Sequence, residues 1–326
     1  MTKRCTLKDI ARVTGLTVNS VSHALRDMAD ISEETKRKVR KVAQEMGYIP
    51  NFSAASLRSG RSKTIGIVYD NLLNPYYSIM IHYLNYSLSR YGYGFLTFVE
   101  THGSRMSVAT VNDIMARSVD GIITFIEPED TATAQLSALR VPILVIGRHM
   151  KYDFMDYIYT DDKAGGTIAT EHLIALGYRK IAYMADTMEI SCAQERAEGY
   201  RQTMARSGLA PHLYVDQVSY VELTERALRD GCDAIICFND FMALEVLYAL
   251  EARGRSDVAV IGYDNIQNEL KIPHQLTTIG YDKAQIADVA VEVLMHKIDS
   301  AVATRTFVKV HDVTLVAGST AHTTQQ

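Results

Sequence analysis

No apolar run in the 326 residues approaches the ~20 that a membrane helix needs, and the opening MTKRCTLKDIARV turns charged again before a signal-peptide core could form. A cytoplasmic protein with no membrane partner is expected. Cysteine is scarce. Cys5, Cys192, Cys232 and Cys237 form no C-x-x-C pair and have no histidine at zinc-ligand spacing, so buried or inert thiols are expected, with no metal, cofactor or disulfide framework. Nucleotide-binding glycine patterns are missing too. Gly165 and Gly166 in DDKAGGTIA match neither G-x-G-x-x-G nor a P-loop, and tight packing at a helix start explains the pair better. No Ser-His-Asp or Cys-His arrangement stands out, and His172 lies mid-helix in EHL, so an enzyme is not expected and no catalytic residue is assigned. The tail AHTTQQ carries no heptads.

The length suggests two large units plus a small one, and the hydrophobic fraction of 47% with 22% charged residues is ordinary for a soluble globular chain. Charge is unevenly spread. Residues 1–63 hold 13 Lys/Arg against 6 Asp/Glu, a net +7, while the remainder holds 21 against 32, a net −11. A basic head on an acidic body is the asymmetry of a chain whose one end meets a polyanion, with a solvated basic helix as the alternative. In the head, Thr6 with Asp9 forms a capping box before a stripe of Leu7, Ile10, Ala11 and Val13. Gly15 stops that helix. A second runs from the cap Thr17 with Val18, Val21, Ala24 and Leu25 at helical spacing. A third runs from the cap Ser32 to Gly47, with Val39, Val42, Ala43 and Met46 inside and Lys36, Arg37, Lys38, Arg40 and Lys41 around the rest. Helix, turn and second helix fit a helix-turn-helix, in which Val21, Ala24 and Leu25 pack inward while Val18, Asn19, Ser22 and His23 face a DNA groove. A polar-faced helix in a small bundle is the other reading.

YIPNFSAASLRSGRSKT reads as a linker. From Ile65 onward, short apolar strands alternate with helices in two series of similar layout, the pattern of doubly wound parallel sheets. The fold class expected is α/β: a three-helix head over 1–49, a hinge over 50–63, and a core over 64–326. In that core an N-subdomain takes about 64–160 and 281–315, and a C-subdomain about 161–280 and 316–326. The final segment TFVKVHDVTLV is read as one strand. Ligands of such sheets sit at the carboxyl ends of strands, so a cleft near Tyr159 to Asp162 is expected.

TLKDIARVTGLTVNSVSHALRD resembles the N-terminal signature of the lac-repressor (LacI/GalR) family of bacterial transcription regulators, and NPYY, EHLIALGYRKIAYM, ERAEGYRQTM, FNDFMALEVLYAL and VIGYD extend the resemblance in order along almost the whole chain. It implies a homodimeric repressor of a double-stranded DNA operator, with two periplasmic-binding-protein-like subdomains. By that resemblance Val18, Asn19 and His23 read bases, with Thr17, Ser20 and Ser22, and Thr6 at the head of the first helix, among the DNA-binding residues. Leu57 matches the hinge leucine that wedges into the minor groove, with Arg58 beside it on the phosphates. Family members often carry Arg where this chain has His23. Imidazole offers at most one good donor there, so the operator is expected to depart from the commonest half-site at that base.

The resemblance also places Tyr76, Tyr77, Arg196, Asn239 and Asp264 around a small-molecule effector, and their chemistry suits a sugar: aromatic faces for C–H surfaces, Arg, Asn and Asp for hydroxyls. Each has a plainer role as well, Asn239 as a helix cap and Asp264 as a partner of Arg196. Where members often have Asp, this chain has Gly147 and Arg148, which keeps a sugar phosphate or a purine as alternatives to a sugar. A dimer without the family's tetramer is expected.

Overall fold

The computed structural model describes residues 5–49, 60–101, 105–139, 141–149, 152–272, 275–300 and 305–322. Two compact units divide it, Met1–Ser62 and Lys63–Gln326.

In the first unit, α1 (Leu7–Thr14) begins where Thr6 and Asp9 cap each other's backbone amides, and Gly15 ends it at φ 74, a left-handed turn that favours glycine. The Thr17 hydroxyl accepts from the Ser20 amide to start α2 (Val18–Leu25), and Ser32 accepts from Thr35 to start α3 (Glu33–Glu45). Such caps contribute about 1 kcal/mol each. Ile10, Ala11, Val21, Ala24, Val39 and Ala43 form one buried cluster to which all three helices contribute.

Two side chains depart from expectation. Val13 is 58% exposed; the buried stripe runs through Ile10, Ala11 and Thr14, and the Thr14 hydroxyl is satisfied by donating to the Ile10 carbonyl at 2.8 Å. Lys36 is buried rather than outward, its ammonium 2.8 Å from Glu33 and 3.2 Å from Asp27. Its long stem lets it lie along the core while the charge meets two carboxylates.

The second unit opens with β1 (Thr64–Tyr69), α4 (Pro75–Arg90), β2 (Gly94–Val99), β3 (Arg105–Met106), α5 (Val108–Ala116) and β4 (Gly121–Thr124). It continues through β5 (Glu127–Pro128), α6 (Asp130–Ala138), β6 (Ile143–Ile146), β7 (Asp156–Thr160), α7 (Asp162–Ala175) and β8 (Ile181–Ala185). Then come α8 (Ser191–Arg206), β9 (His212–Val215), α9 (Tyr220–Arg229), β10 (Ala234–Cys237), α10 (Asp240–Glu251) and β11 (Ala259–Tyr263). A 3₁₀ turn (Ile266–Asn268), β12 (Thr277–Gly280), α11 (Lys283–Asp299), β13 (Val308–His311) and β14 (Thr314–Val316) complete it.

One sheet has the order β2-β1-β4-β6-β7-β13, parallel throughout; the other has the order β9-β8-β10-β11-β12-β14, parallel except for its last strand. Strands β4, β6, β8, β10 and β11 are buried at every residue, as strands covered by helices on both faces must be. In each sheet the strand order reverses beside the first strand, at β1 and at β8, which opens a crevice at the carboxyl ends.

The final segment is two strands rather than one. β13 pairs with β7 in the first sheet and β14 with β12 in the second, so the chain crosses at Asp312 and Val313 and Thr314 and Leu315 lie in the second sheet, not the first. The β3–β5 pair was not visible as a pattern, because two-residue strands show no alternation.

Glycines join α7 to α8. A Cβ built on Gly166 collides with the Arg196 carbonyl, and one on Gly199 collides with that of Lys163, so the two backbones touch where Arg196 leaves its helix. Gly166→Ala should therefore destabilise the native fold by roughly 1–3 kcal/mol through overpacking. Thermal unfolding of the full chain checks this, and an unchanged midpoint would contradict the close approach.

Candidate functional site

On α2 the outer arc carries exposed Asn19 with half-buried Ser20 and His23, and Val18 is 40% exposed at its start. Thr17 and Thr6 are exposed, but both hydroxyls have internal partners: Thr17 meets the Ser20 hydroxyl at 2.9 Å and Thr6 the Asp9 carboxylate at 2.7 Å. Ser22, expected at the groove, is buried. It falls at the edge of the arc that holds Val21 and Ala24, and a hydroxymethyl is small enough to be covered there. His23 places Nδ1 2.6 Å from an Asp30 carboxylate oxygen, and that hydrogen bond holds the Asp30 carboxyl below its ordinary range. Only Nε2 is left to face outward. Leu57 and Arg58 lie outside the described residues.

In the second unit the carboxyl ends of the strands deliver six expected effector residues, Tyr76, Tyr77, Arg196, Asn239 and Asp264 together with Arg148, to one cavity of about 70 Å³. Asn74 caps α4 and Pro75 opens it, so Tyr76 and Tyr77 project from its first turn. The Tyr77 hydroxyl donates to Asp70 at 2.7 Å, and Tyr76 stands edge-on to Phe125 at 6.0 Å. After β6 the chain turns at Gly147, φ 78, and buries Arg148 with its guanidinium 3.8 Å from the same Asp70. Asn239 caps α10 with its side-chain oxygen, and its NH₂ is a further donor at the cavity wall.

Arg196 is the most constrained of the six. Its Nε donates to Asp162 at 2.7 Å, its Nη1 donates to the Phe238 carbonyl at 2.6 Å, and its plane lies 3.4 Å from the Tyr263 ring centre. Its carboxylate partner is thus Asp162 and not Asp264. Asp264 follows β11 at φ 101 with Asn265 at φ 48, two consecutive left-handed residues of the kind that store strain at functional loops. The Asp264 carboxylate accepts from Tyr281 at 2.9 Å, and burial pushes its pKa up to about 6. Beneath it, buried Asp240 accepts from Thr278 at 2.6 Å and from the Ile266 amide at 2.8 Å, with its pKa raised to about 7 by burial first and the Asp264 charge second.

Sequence reasoning missed Phe238 and Tyr281, and named Asp162 only as a bound of the cleft and not as the partner of Arg196. Each stands within two residues of a strand's carboxyl end, which is the one signal that pointed to them. Cys192 also lines the cavity, and burial pushes its thiol up to about 11, where it is neutral and a poor nucleophile.

Residues 6–51 match the family described as bacterial regulatory proteins, lacI family, and residues 170–321 match the periplasmic binding protein-like domain. The HTH-type transcriptional repressor PurR of Photobacterium profundum is 30% identical over 90% of this chain and 92% of its own. The ribose operon repressor of Escherichia coli is 29% identical over 90% and 93%. Among solved structures, the lac repressor dimer bound to operator and the anti-inducer ONPF superposes with a TM-score of 0.82 at 25% identity, covering 98% of this chain and all of that one.

Because Asp264 holds its proton more tightly in the fold, against an ordinary pKa of 3.8, the native state binds the extra proton between about 4 and 6, and this group's contribution falls as pH rises through that window. Asp264→Asn should therefore raise stability relative to the native chain at pH 7, by on the order of 1–3 kcal/mol, and much less at pH 4. Unfolding midpoints at the two pH values decide it, and an equal difference at both would remove the raised carboxyl.

Proposed function

Because the chain belongs to the lacI family of bacterial regulatory proteins, we propose that it is a cytoplasmic, ligand-responsive transcriptional repressor. As a dimer it sets α2 of each head into the major groove of a pseudo-palindromic operator, while a sugar or sugar derivative in the second unit's cavity changes operator affinity. The domain boundaries expected above, 1–49, 50–63 and 64–326, are part of that reading.

One observation carries the proposal: a single chain holds both an outward polar helix face, Asn19 and His23, and a separate cavity where Tyr76, Arg196, Asn239 and Asp264 converge. Asn can bond an adenine edge and Val a thymine methyl. In the cavity, the first subdomain supplies Tyr76, Tyr77 and Arg148 and the second Arg196, Asn239 and Asp264. A ligand that touches both sides stabilises one arrangement of the two over another, and its differential affinity for those arrangements sets the size of any change in operator binding. A purine is the second reading, supported by Phe125 and Phe238 on the walls.

His23 sharpens the operator prediction. In the tautomer whose Nδ1–H donates to Asp30, His23 presents Nε2 as an acceptor, suited to the amino group of cytosine or adenine rather than to the guanine edge that an arginine takes. Selection of random DNA by the full chain should yield symmetric half-sites with such a base at the His23 position. His23→Arg should move that preference to guanine by on the order of tenfold. Unchanged selection by the variant would take His23 off the bases, and recovery of no symmetric site would defeat the repressor reading itself.

A further inference from the structure

The small cavity adjoins a larger chamber of about 570 Å³. Asn74, Tyr77, Arg148, Phe238 and Asn239 line both, so the two lie side by side with these five side chains at their junction. The inner part lies below the roughly 300–1,000 Å³ of an ordinary ligand site and the outer part within it. A ligand that reaches Arg196 and Asp264 therefore extends outward past Arg148.

The lining limits what that extension is. Arg196 has Asp162 at 2.7 Å and Arg148 has Asp70 at 3.8 Å, so each cation already has a carboxylate of the protein beside it. The outer chamber adds Asp186 and, at its rim, Glu245, carboxylates that repel a phosphate or a carboxylic acid. Tyr220 donates to one oxygen of Asp186 at 3.1 Å; among the described residues the other oxygen takes no hydrogen bond and can accept from a hydroxyl. Tyr220 and Phe241 stand edge-to-face at 6.5 Å on the chamber wall, beside Phe238, and offer apolar faces to the C–H surface or π-face of a ring.

We propose that the effector is a neutral glycoside: one hydroxyl-rich ring held at Arg196, Asn239 and Asp264, joined to a second ring, sugar or nucleobase, that lies in the outer chamber against Tyr220 and Phe241. The proposal rests on the sugar reading above and narrows it, setting aside single sugars and sugar phosphates.

Calorimetry on the full chain tests it with glucose and ribose, the disaccharides cellobiose, maltose and lactose, the nucleosides adenosine and guanosine, glucose 6-phosphate and ribose 5-phosphate, and hypoxanthine. The expected result is a disaccharide or a nucleoside that binds at least tenfold more tightly than its own single sugar, and the arm that binds identifies the second ring. Tyr220→Ala and Phe241→Ala should each weaken that compound about tenfold or more while leaving the single sugar's affinity unchanged. A single sugar that binds as tightly, a phosphate that binds more tightly, no binding by any two-ring compound, or no effect of both variants overturns the proposal. Binding by hypoxanthine alone would instead overturn the sugar reading on which it rests.

Discussion

The ion pair between Arg196 and Asp162 governs the geometry of the cavity. Asp162 sits in the first turn of α7 and Arg196 early in α8, and their 2.7 Å bond exists because Gly166 and Gly199 let those helices meet backbone to backbone. The pair is deeply buried, so loss of either member would leave an uncompensated charge at a cost of about 3–5 kcal/mol. Its contribution to net stability is smaller than that, since two charges had to be desolvated. What it provides is position: a guanidinium fixed over Tyr263, anchored on the Phe238 carbonyl, with its remaining N–H groups directed into the space where Asn239 and Asp264 also end.

Much of the architecture was legible because strands covered on both sides must be apolar and helices must be amphipathic. Runs such as TIGIVY and DAIICF gave β1 and β10, and the caps Thr6, Thr17 and Ser32 fixed the helix starts of the head. The candidate effector residues were legible through resemblance, and the sheet topology explains why they converge, since five of the six stand on loops or first helical turns, and Arg196 in the second turn of α8, at or near one crevice. What could not be read was which partner each side chain takes. Lys36 looked like one of five outward cations, and only the positions of Asp27 and Glu33 draw it in. Ser22 and His23 are neighbours of similar polarity, yet one is covered and the other is bonded to Asp30. The split of TFVKVHDVTLV into two sheets is likewise a tertiary choice, because the same alternation serves either edge.

The two ends of the chain carry opposite charge and opposite kinds of site. The head, net +7 through residue 63, presents hydrogen-bonding groups on an outer helix face, suited to a polyanion whose grooves carry the information. The acidic body encloses its polar cavity and sets a carboxylate of its own beside each cavity arginine, Asp70 by Arg148 and Asp162 by Arg196. A repressor needs that separation: a body that competed for phosphates would blur operator choice, and a head that bound small molecules would lose its reading face.

In the proposed function, occupancy of the cavity is energetically coupled to operator binding. Fluorescence anisotropy of a labelled, selected operator, titrated with the full chain in the absence and in saturating presence of the compound that binds the cavity, measures that coupling directly. The expected result is a change in operator Kd of about fivefold or more, of the usual size for allosteric coupling. Identical operator affinity with the cavity empty and full would contradict it.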